Sequence, residues 1–234
     1  MPVAVVQTKT ATISTSTATH PVTFNASVSV GNWVVIIWRQ GTANRSPGTP
    51  VPSAGTWSGV QDFLASNGTN AGRIYCFSAQ QTGSGTDTYT ITLTGSNAGT
   101  GVIQAYELSG VDATTPRGSS GTQTPASSTS WKVIATPGIT LTDGDLIIGA
   151  GGENNANWGT LTTPSGFTTR LNTNTSPATS TWVGENATAG SGIEGSATIT
   201  NSRVVYSGYQ VFLQSGGGGG GSAAKNLLLL GVGA

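Results

Sequence analysis

Trp33-Val34-Val35-Ile36-Ile37-Trp38 carries no charged or amide side chain, whereas Tyr89-Thr90-Ile91-Thr92-Leu93-Thr94 alternates strictly between an apolar residue and threonine. The first reads as a central strand covered on both faces. The second reads as a strand with one face to a core and the other to water. Both are rich in β-branched and aromatic residues, which suit a pleated and partly buried surface.

Outward from these two, residues 73–77, 102–108, 145–148, 197–200 and 204–213 repeat the pattern of short apolar or alternating runs between Gly, Pro, Asn and Ser clusters. The turn-rich stretches 40–56, 112–130 and 151–164 are the long loops. In a chain of 234 residues this predicts one all-β domain, an antiparallel β-sandwich, spanning 1–214. Residues 1–20 are read as a first strand in preference to an N-terminal arm.

Composition agrees. Only 8% of residues are charged and 35 are glycine, with Thr, Ser and Asn dominating the polar remainder, so helix formers are scarce. Nine basic residues balance nine acidic ones without a run of either sign. Electrostatic capture of nucleic acid or of an anionic membrane is therefore not expected. The N-terminus shows no basic leader before an apolar stretch, and so no export signal is expected.

The two halves of the sequence resemble one another. Gly31-Asn32-Trp33-Val34-Val35-Ile36 parallels Gly144-Asp145-Leu146-Ile147-Ile148-Gly149, and Gln104-Ala105-Tyr106 before Ser109-Gly110 parallels Gln210-Val211-Phe212 before Ser215-Gly216. Such a repeat predicts two similar half-sheets folded on one another as a jelly roll.

Tyr106-Glu107-Leu108-Ser109-Gly110-Val111-Asp112-Ala113-Thr114-Thr115-Pro116, followed by Asp143-Gly144-Asp145-Leu146-Ile147-Ile148, resembles a concanavalin-like jelly-roll module of bacterial secreted proteins and phage virion proteins. The resemblance spans residues 20–214 and lies in turns and strands. It implies a fold and an extracellular or virion setting, with no catalytic residue to carry over. The absence of an export signal favours the virion, whose proteins assemble in the host cytoplasm.

After Gln214-Ser215 come six glycines, Gly216, Gly217, Gly218, Gly219, Gly220 and Gly221, and then an arm ending Leu227-Leu228-Leu229-Leu230-Gly231-Val232-Gly233-Ala234. Polyglycine is a flexible hinge, and extended from Gln214 to Ala224 it reaches about 35 Å at ~3.3 Å per residue. Four leucines fall far short of a membrane span, which needs about 20 apolar residues. Each leucine gains about 1.5–3 kcal/mol on burial, so Leu227, Leu228, Leu229, Leu230 and Val232 are expected to dock, by strand addition or in a groove on a neighbour.

Catalytic chemistry finds little support. His20 and Cys76 are the sole histidine and cysteine. Cys76 sits in an apolar run, and no transition-metal site is expected. Asp143-Gly144-Asp145 reads as a β-turn before a calcium site. Glu107, Glu153, Glu185 and Glu194 read as solvated surface acids rather than a glycosidase pair. Trp158 with Asn155 and Asn157, and Trp182, are the candidate glycan contacts, set against a role as caps of the sandwich. The sequence thus leads to a non-enzymatic structural virion protein without cofactor, namely a capsid decoration (cement) protein. Its expected partners are the major capsid protein or other virion subunits, and copies of itself, with a trimer natural at a three-fold axis. A carbohydrate-binding adhesin or tail-fibre module is the alternative.

Overall fold

A computed structural model describes residues 1–41, 46–66, 73–94, 99–123, 127–153, 157–174 and 180–216. Among them every regular element is a strand, and every strand pair is antiparallel. The antiparallel sandwich read from the sequence is the observed fold.

The first half comprises β1 (Ala4–Thr17), β2 (Thr19–Thr23), β3 (Trp33–Gln40), β4 (Val51–Pro52), β5 (Val60–Ala65), β6 (Ile74–Gln80), β7 (Thr88–Thr92) and β8 (Gly99–Ser109). The second comprises β9 (Arg117–Gln123), β10 (Ser128–Lys132), β11 (Ile139–Leu141), β12 (Leu146–Gly152), β13 (Thr168–Thr173), β14 (Thr181–Asn186), β15 (Gly190–Ile193), β16 (Ser196–Arg203) and β17 (Tyr206–Phe212). Residues 4–17 thus form a strand, as the sequence suggests.

The first half builds a five-stranded sheet, β1-β8-β3-β6-β5, and a small sheet, β2-β7-β4. The second repeats the plan with β9-β17-β12-β14-β13 and β10-β16, beside which Leu161 bridges Ile199. The β11-β15 pair is an addition. The duplication is therefore real, but its unit is larger than a half-sheet, because each copy supplies both a large and a small sheet. The sequence match missed this because the small-sheet strands are short and embedded in turn-rich stretches.

Four layers enclose three cores. Strand β3 is buried along its whole length and faces two of them. Trp33, Val35 and Ile37 meet Leu146, Ile148 and Ala150 of β12 in a central core between the large sheets. Val34, Ile36 and Trp38 turn the other way, toward Val22, Tyr89 and Ile91 of the small sheet. The continuous apolar run is thus explained by cover on both faces. In β7, Tyr89 and Ile91 point inward while Thr92 is exposed, as strict alternation requires.

The third core lies under the small sheet of the second repeat and is built on Trp131, Trp158 and Trp182. Trp131 stacks on Trp158 at 6.2 Å and meets Trp182 edge-on at 5.9 Å. On the face of β12 where β3 carries Val34, Ile36 and Trp38, this strand carries Ile147, Gly149 and Gly151. A Cβ on Gly151 would lie 2.6 Å from the Trp131 ring, and one on Gly149 2.5 Å from Val133. Bulk has moved from the strand to the opposing indoles, keeping the layer filled.

Candidate assembly corner and the groups around it

The chain ends of the described structure meet at one corner. Gly110 and Gly216, matched by the sequence repeat, both have positive φ, at 73° and 79°. The linker between repeats runs beside the last strand. Val111 bridges Gln214, Asp112 N–H donates to the Leu213 carbonyl at 2.9 Å, and Ser215 N–H donates to the Gly110 carbonyl at 2.7 Å. The Met1 ammonium donates to the Ser215 carbonyl, and Val3 N–H donates to the Gly144 carbonyl at 2.8 Å.

The Asp143-Gly144-Asp145 turn completes the corner. Asp145 N–H closes on the Thr142 carbonyl at 3.1 Å, and Gly144 has φ of 87°. Asp145 accepts from Gln214 N–H at 2.9 Å, and the Asp143 carbonyl accepts from the Gln214 amide at 2.6 Å. Asp112 accepts from the backbone of Thr114 and Thr115 at 2.8 and 2.7 Å. Those N–H groups, Thr115 first, hold its carboxyl below the usual range. Three segments, residues 1–3, 110–116 and 142–145, therefore clamp the chain up to Ser215.

The expected arm and most of its hinge lie outside the described residues. This applies to Gly217, Gly218, Gly219, Gly220 and Gly221, and to Leu227, Leu228, Leu229, Leu230 and Val232. Asn155 lies outside as well.

The candidate glycan contacts are not brought together on a surface. Trp158 and Trp182 are both 0% exposed, and the Trp182 indole N–H donates to Thr169 at 2.9 Å. Neither ring offers a face to a sugar, because both are spent on the third core. This corrects their assignment as contacts. Asn157 is exposed, and its side-chain oxygen accepts from Gly159 N–H at 2.6 Å, closing a turn. A shallow groove of about 390 Å³ runs over the outer face of β10 and β16, lined by Ser130, Lys132, Thr162, Ser196 and Thr198.

Three of the four glutamates, Glu107, Glu153 and Glu185, are buried, which corrects their reading as solvated surface acids, and the four have separate partners. Glu107 accepts from Ser29 N–H at 2.9 Å, Asn32 at 2.6 Å and Gln7 at 2.6 Å, pinning the β2–β3 connection. Glu185 pairs with Arg170 at 2.5 Å, and Glu194 with Lys132 at 2.5 Å. Glu153 offers its carbonyl to Arg39. Cys76 is buried in the central core, and burial followed by the adjacent Asp62 pushes its thiol well up.

Three polar constellations escaped the sequence reading. Arg117 on β9 reaches across the central core to the other repeat. Its Nε donates to Asp62 at 2.7 Å, an amino group donates to the Ser78 carbonyl at 2.9 Å, and the guanidinium lies 4.8 Å from the Trp33 ring centre. Arg39, on β3 of the first repeat, is fully buried, lies 5.6 Å from the Tyr206 ring and donates to the carbonyls of Gln40 and Glu153. These two arginines join the repeats. In the first small-sheet core, His20 Nδ1 accepts from the Trp38 indole at 2.9 Å and Nε2 meets the Gly99 carbonyl at 3.0 Å. This geometry fits neutral imidazole with its proton on Nε2, and burial lowers its pKa.

Asp62 and Arg170 occupy the same place in the two repeats. Each is the extra residue of a bulge in an edge strand, between Gln61 and Phe63 in β5 and between Thr169 and Leu171 in β13. A local sequence signal for this existed only as one charge within an otherwise uncharged strand.

No protein-family model, curated protein or solved structure matches the chain.

Proposed function

We propose that this chain is a structural protein of a bacteriophage particle, a capsid decoration protein whose sandwich sits on the shell and whose C-terminal arm ties it to neighbours. The clamped corner carries this reading. A chain held by three segments up to Ser215 and continuing into polyglycine is built as a fixed post bearing a tether. Tension on the arm would be borne by Met1, Gly110, Leu213 and Asp145 contacts rather than by a fraying end.

The resemblance stated above supports the same setting. Each repeat would then be a jelly roll, its strands ordered β1-β8-β3-β6 against β2-β7-β4, with β5 moved to the edge of the larger sheet. The partners would be the major capsid protein or other virion subunits, and further copies of the chain, in the assembled virion. Many weak contacts on a symmetric lattice would sum to firm attachment.

The test uses particles assembled without this protein, mixed with the full chain or with a chain ending at Gly216, which leaves the clamp whole. Co-sedimentation and the temperature of DNA release are measured. Arm-dependent binding that raises the release temperature supports the role. Failure of both chains to bind overturns it.

A further inference from the structure

We infer that the second repeat carries a binding site of its own, independent of the arm, in which a cleft beside β15 takes a sugar unit of a neutral glycan. The cleft, of about 360 Å³, lies between β15, the β14–β15 connection and the turn before β13, and is lined by Ser165, Gly166, Asn186, Thr188, Ser191 and Glu194 among others. One wall is thus supplied by the β11-β15 pair, the addition peculiar to the second repeat.

The backbone is shaped to keep this space open. Gly166, Gly192 and Gly195 have φ of 79°, 64° and 61°, a conformation that residues with side chains rarely adopt. A Cβ on Gly195 would lie 2.7 Å from the Phe167 ring and 3.0 Å from Val133, so the floor rests directly on the third core. Asn186, only 5% exposed, is set into the wall at the end of β14. Its side-chain oxygen accepts from Thr188 N–H at 2.7 Å, which fixes the amide plane. Its amide nitrogen opens on the cleft beside Gly166, where a Cβ would stand 3.1 Å away, and no acceptor for it is found among the described residues. A rigidly held donor of this kind is a recognition group that lacks only its ligand.

The lining selects the class of ligand. Around the Asn186 amide stand the hydroxyls of Ser165, Thr188 and Ser191 and the Glu194 carboxylate. The adjacent cation, Lys132, is committed to Glu194 at 2.5 Å and to Thr136 at 2.7 Å, so an anion gains little here. Uncharged neighbouring hydroxyls, each able to donate and accept, match an amide donor beside a carboxylate acceptor. The cleft also meets the groove over β10 and β16 at Ser196, which lines both, and Ser130, Thr162 and Thr198 continue the hydroxyl lining there. Strand β16 pairs with β10 on one side, and on the other its Ser196 and Thr198 carbonyls accept from Ser165 and Thr162 N–H at 2.9 and 3.0 Å. With both edges occupied, an extended peptide cannot add there as a strand, and recognition falls to side chains that a run of sugars suits.

Two-dimensional NMR of the full chain tests this, with neutral tetrasaccharides of glucose, galactose, mannose and N-acetylglucosamine as probes and a sulfated galactose tetrasaccharide as the anionic control. At least one neutral probe should bind with a Kd of about 1 mM or tighter, shifting the Asn186 side-chain amide and the backbone amides of Gly166 and Ser191. Asn186→Asp keeps the acceptor for Thr188 but removes the donor, and should weaken that binding about tenfold or more. Ser191→Trp, at an exposed position, fills the cleft and should abolish it. The site is overturned if no neutral probe shifts these amides at about 10 mM, if the sulfated probe binds as well, or if Ser191→Trp binds at full strength. Should Asn186→Asp fold and bind like the parent, the amide is not the recognition group and the proposal falls; should it unfold, Ser191→Trp decides. Both changes lie away from the clamped corner and the arm, so binding to particles tests the decoration role separately.

Discussion

Replacing Arg117 with methionine should cost more than replacing its partner Asp62 with asparagine, although both changes break the same ion pair. The Asp62 side chain is 0% exposed and that of Arg117 is 25% exposed. Without Arg117, the Asp62 carboxylate keeps only Ser78 at 3.0 Å and the weak Cys76 thiol at 3.6 Å. A buried charge stripped of its partner costs about 3–5 kcal/mol, and methionine preserves much of the packing on Trp33. In Asp62→Asn the guanidinium retains the Ser78 carbonyl and can turn a quarter of its surface to water, so about 1–2 kcal/mol is expected. The double variant should therefore be more stable than Arg117→Met alone. Acid gives a second signature. Burial already raises the Asp62 pKa, with Ser78 and Arg117 opposing it. Removing Arg117 raises it further, so the folded variant takes up a proton more readily than the unfolded chain. Its deficit against the parent should narrow as pH falls from 7 toward 5. Urea unfolding of all four proteins at both pH values measures this. An Asp62→Asn cost equal to or above that of Arg117→Met, or a deficit that does not narrow, would refute the account.

His20 should make the protein acid-sensitive. With a folded pKa below the ordinary 6.5, the unfolded chain binds a proton that the fold refuses. Stability is then complete above about pH 6.5 and falls by up to about 1.4 kcal/mol per unit below it, until the folded pKa is reached. His20→Gln should flatten that part of the slope, as urea midpoints between pH 7 and 5 will show; an unchanged slope rules His20 out. Gly208→Ala would place a Cβ 2.4 Å from the Phe63 ring, where β17 of one repeat passes β5 of the other. A loss of about 1–3 kcal/mol is expected. Combined with Phe63→Leu it should cost less than the sum of the two, and strict additivity in thermal unfolding would contradict the contact.

The strands that a sequence reveals best are those whose faces have single, uniform surroundings. Strand β3 is apolar throughout because two cores claim it, and β7 alternates because one core does. Residues 128–132 and 196–203 were harder to place as a sheet of their own, since Ser130, Lys132, Ser196 and Thr198 face water and only Trp131, Ala197 and Ile199 face in. Trp158 was legible as a cap or a contact, and its 0% exposure within the third core rules out the contact. The joining arginines were not legible at all. Asp62 and Arg117 are 55 residues apart, and Arg39 and Glu153 114 apart, so only the pairing of whole repeats brings them together.

That pairing also explains why the repeats have diverged where they have. The central core needs polar anchors, or two apolar sheet faces could slide over one another without directional penalty. The bulge position holds an acid in one repeat and a base in the other, yet the two are satisfied differently. Asp62 takes its arginine from the opposite repeat, whereas Arg170 takes Glu185 from the adjacent strand of its own. Arg39 adds a second crossing tie in the opposite sense, from the first repeat to the second. The ties fix one register between the large sheets. The repeats also differ in length at this edge, for β1 has 14 residues whereas its counterpart β9 has seven and opens on Arg117. Each repeat thus sends one arginine into the other, Arg117 to Asp62 and Arg39 to the Glu153 carbonyl, and the two ties hold the large sheets from both sides.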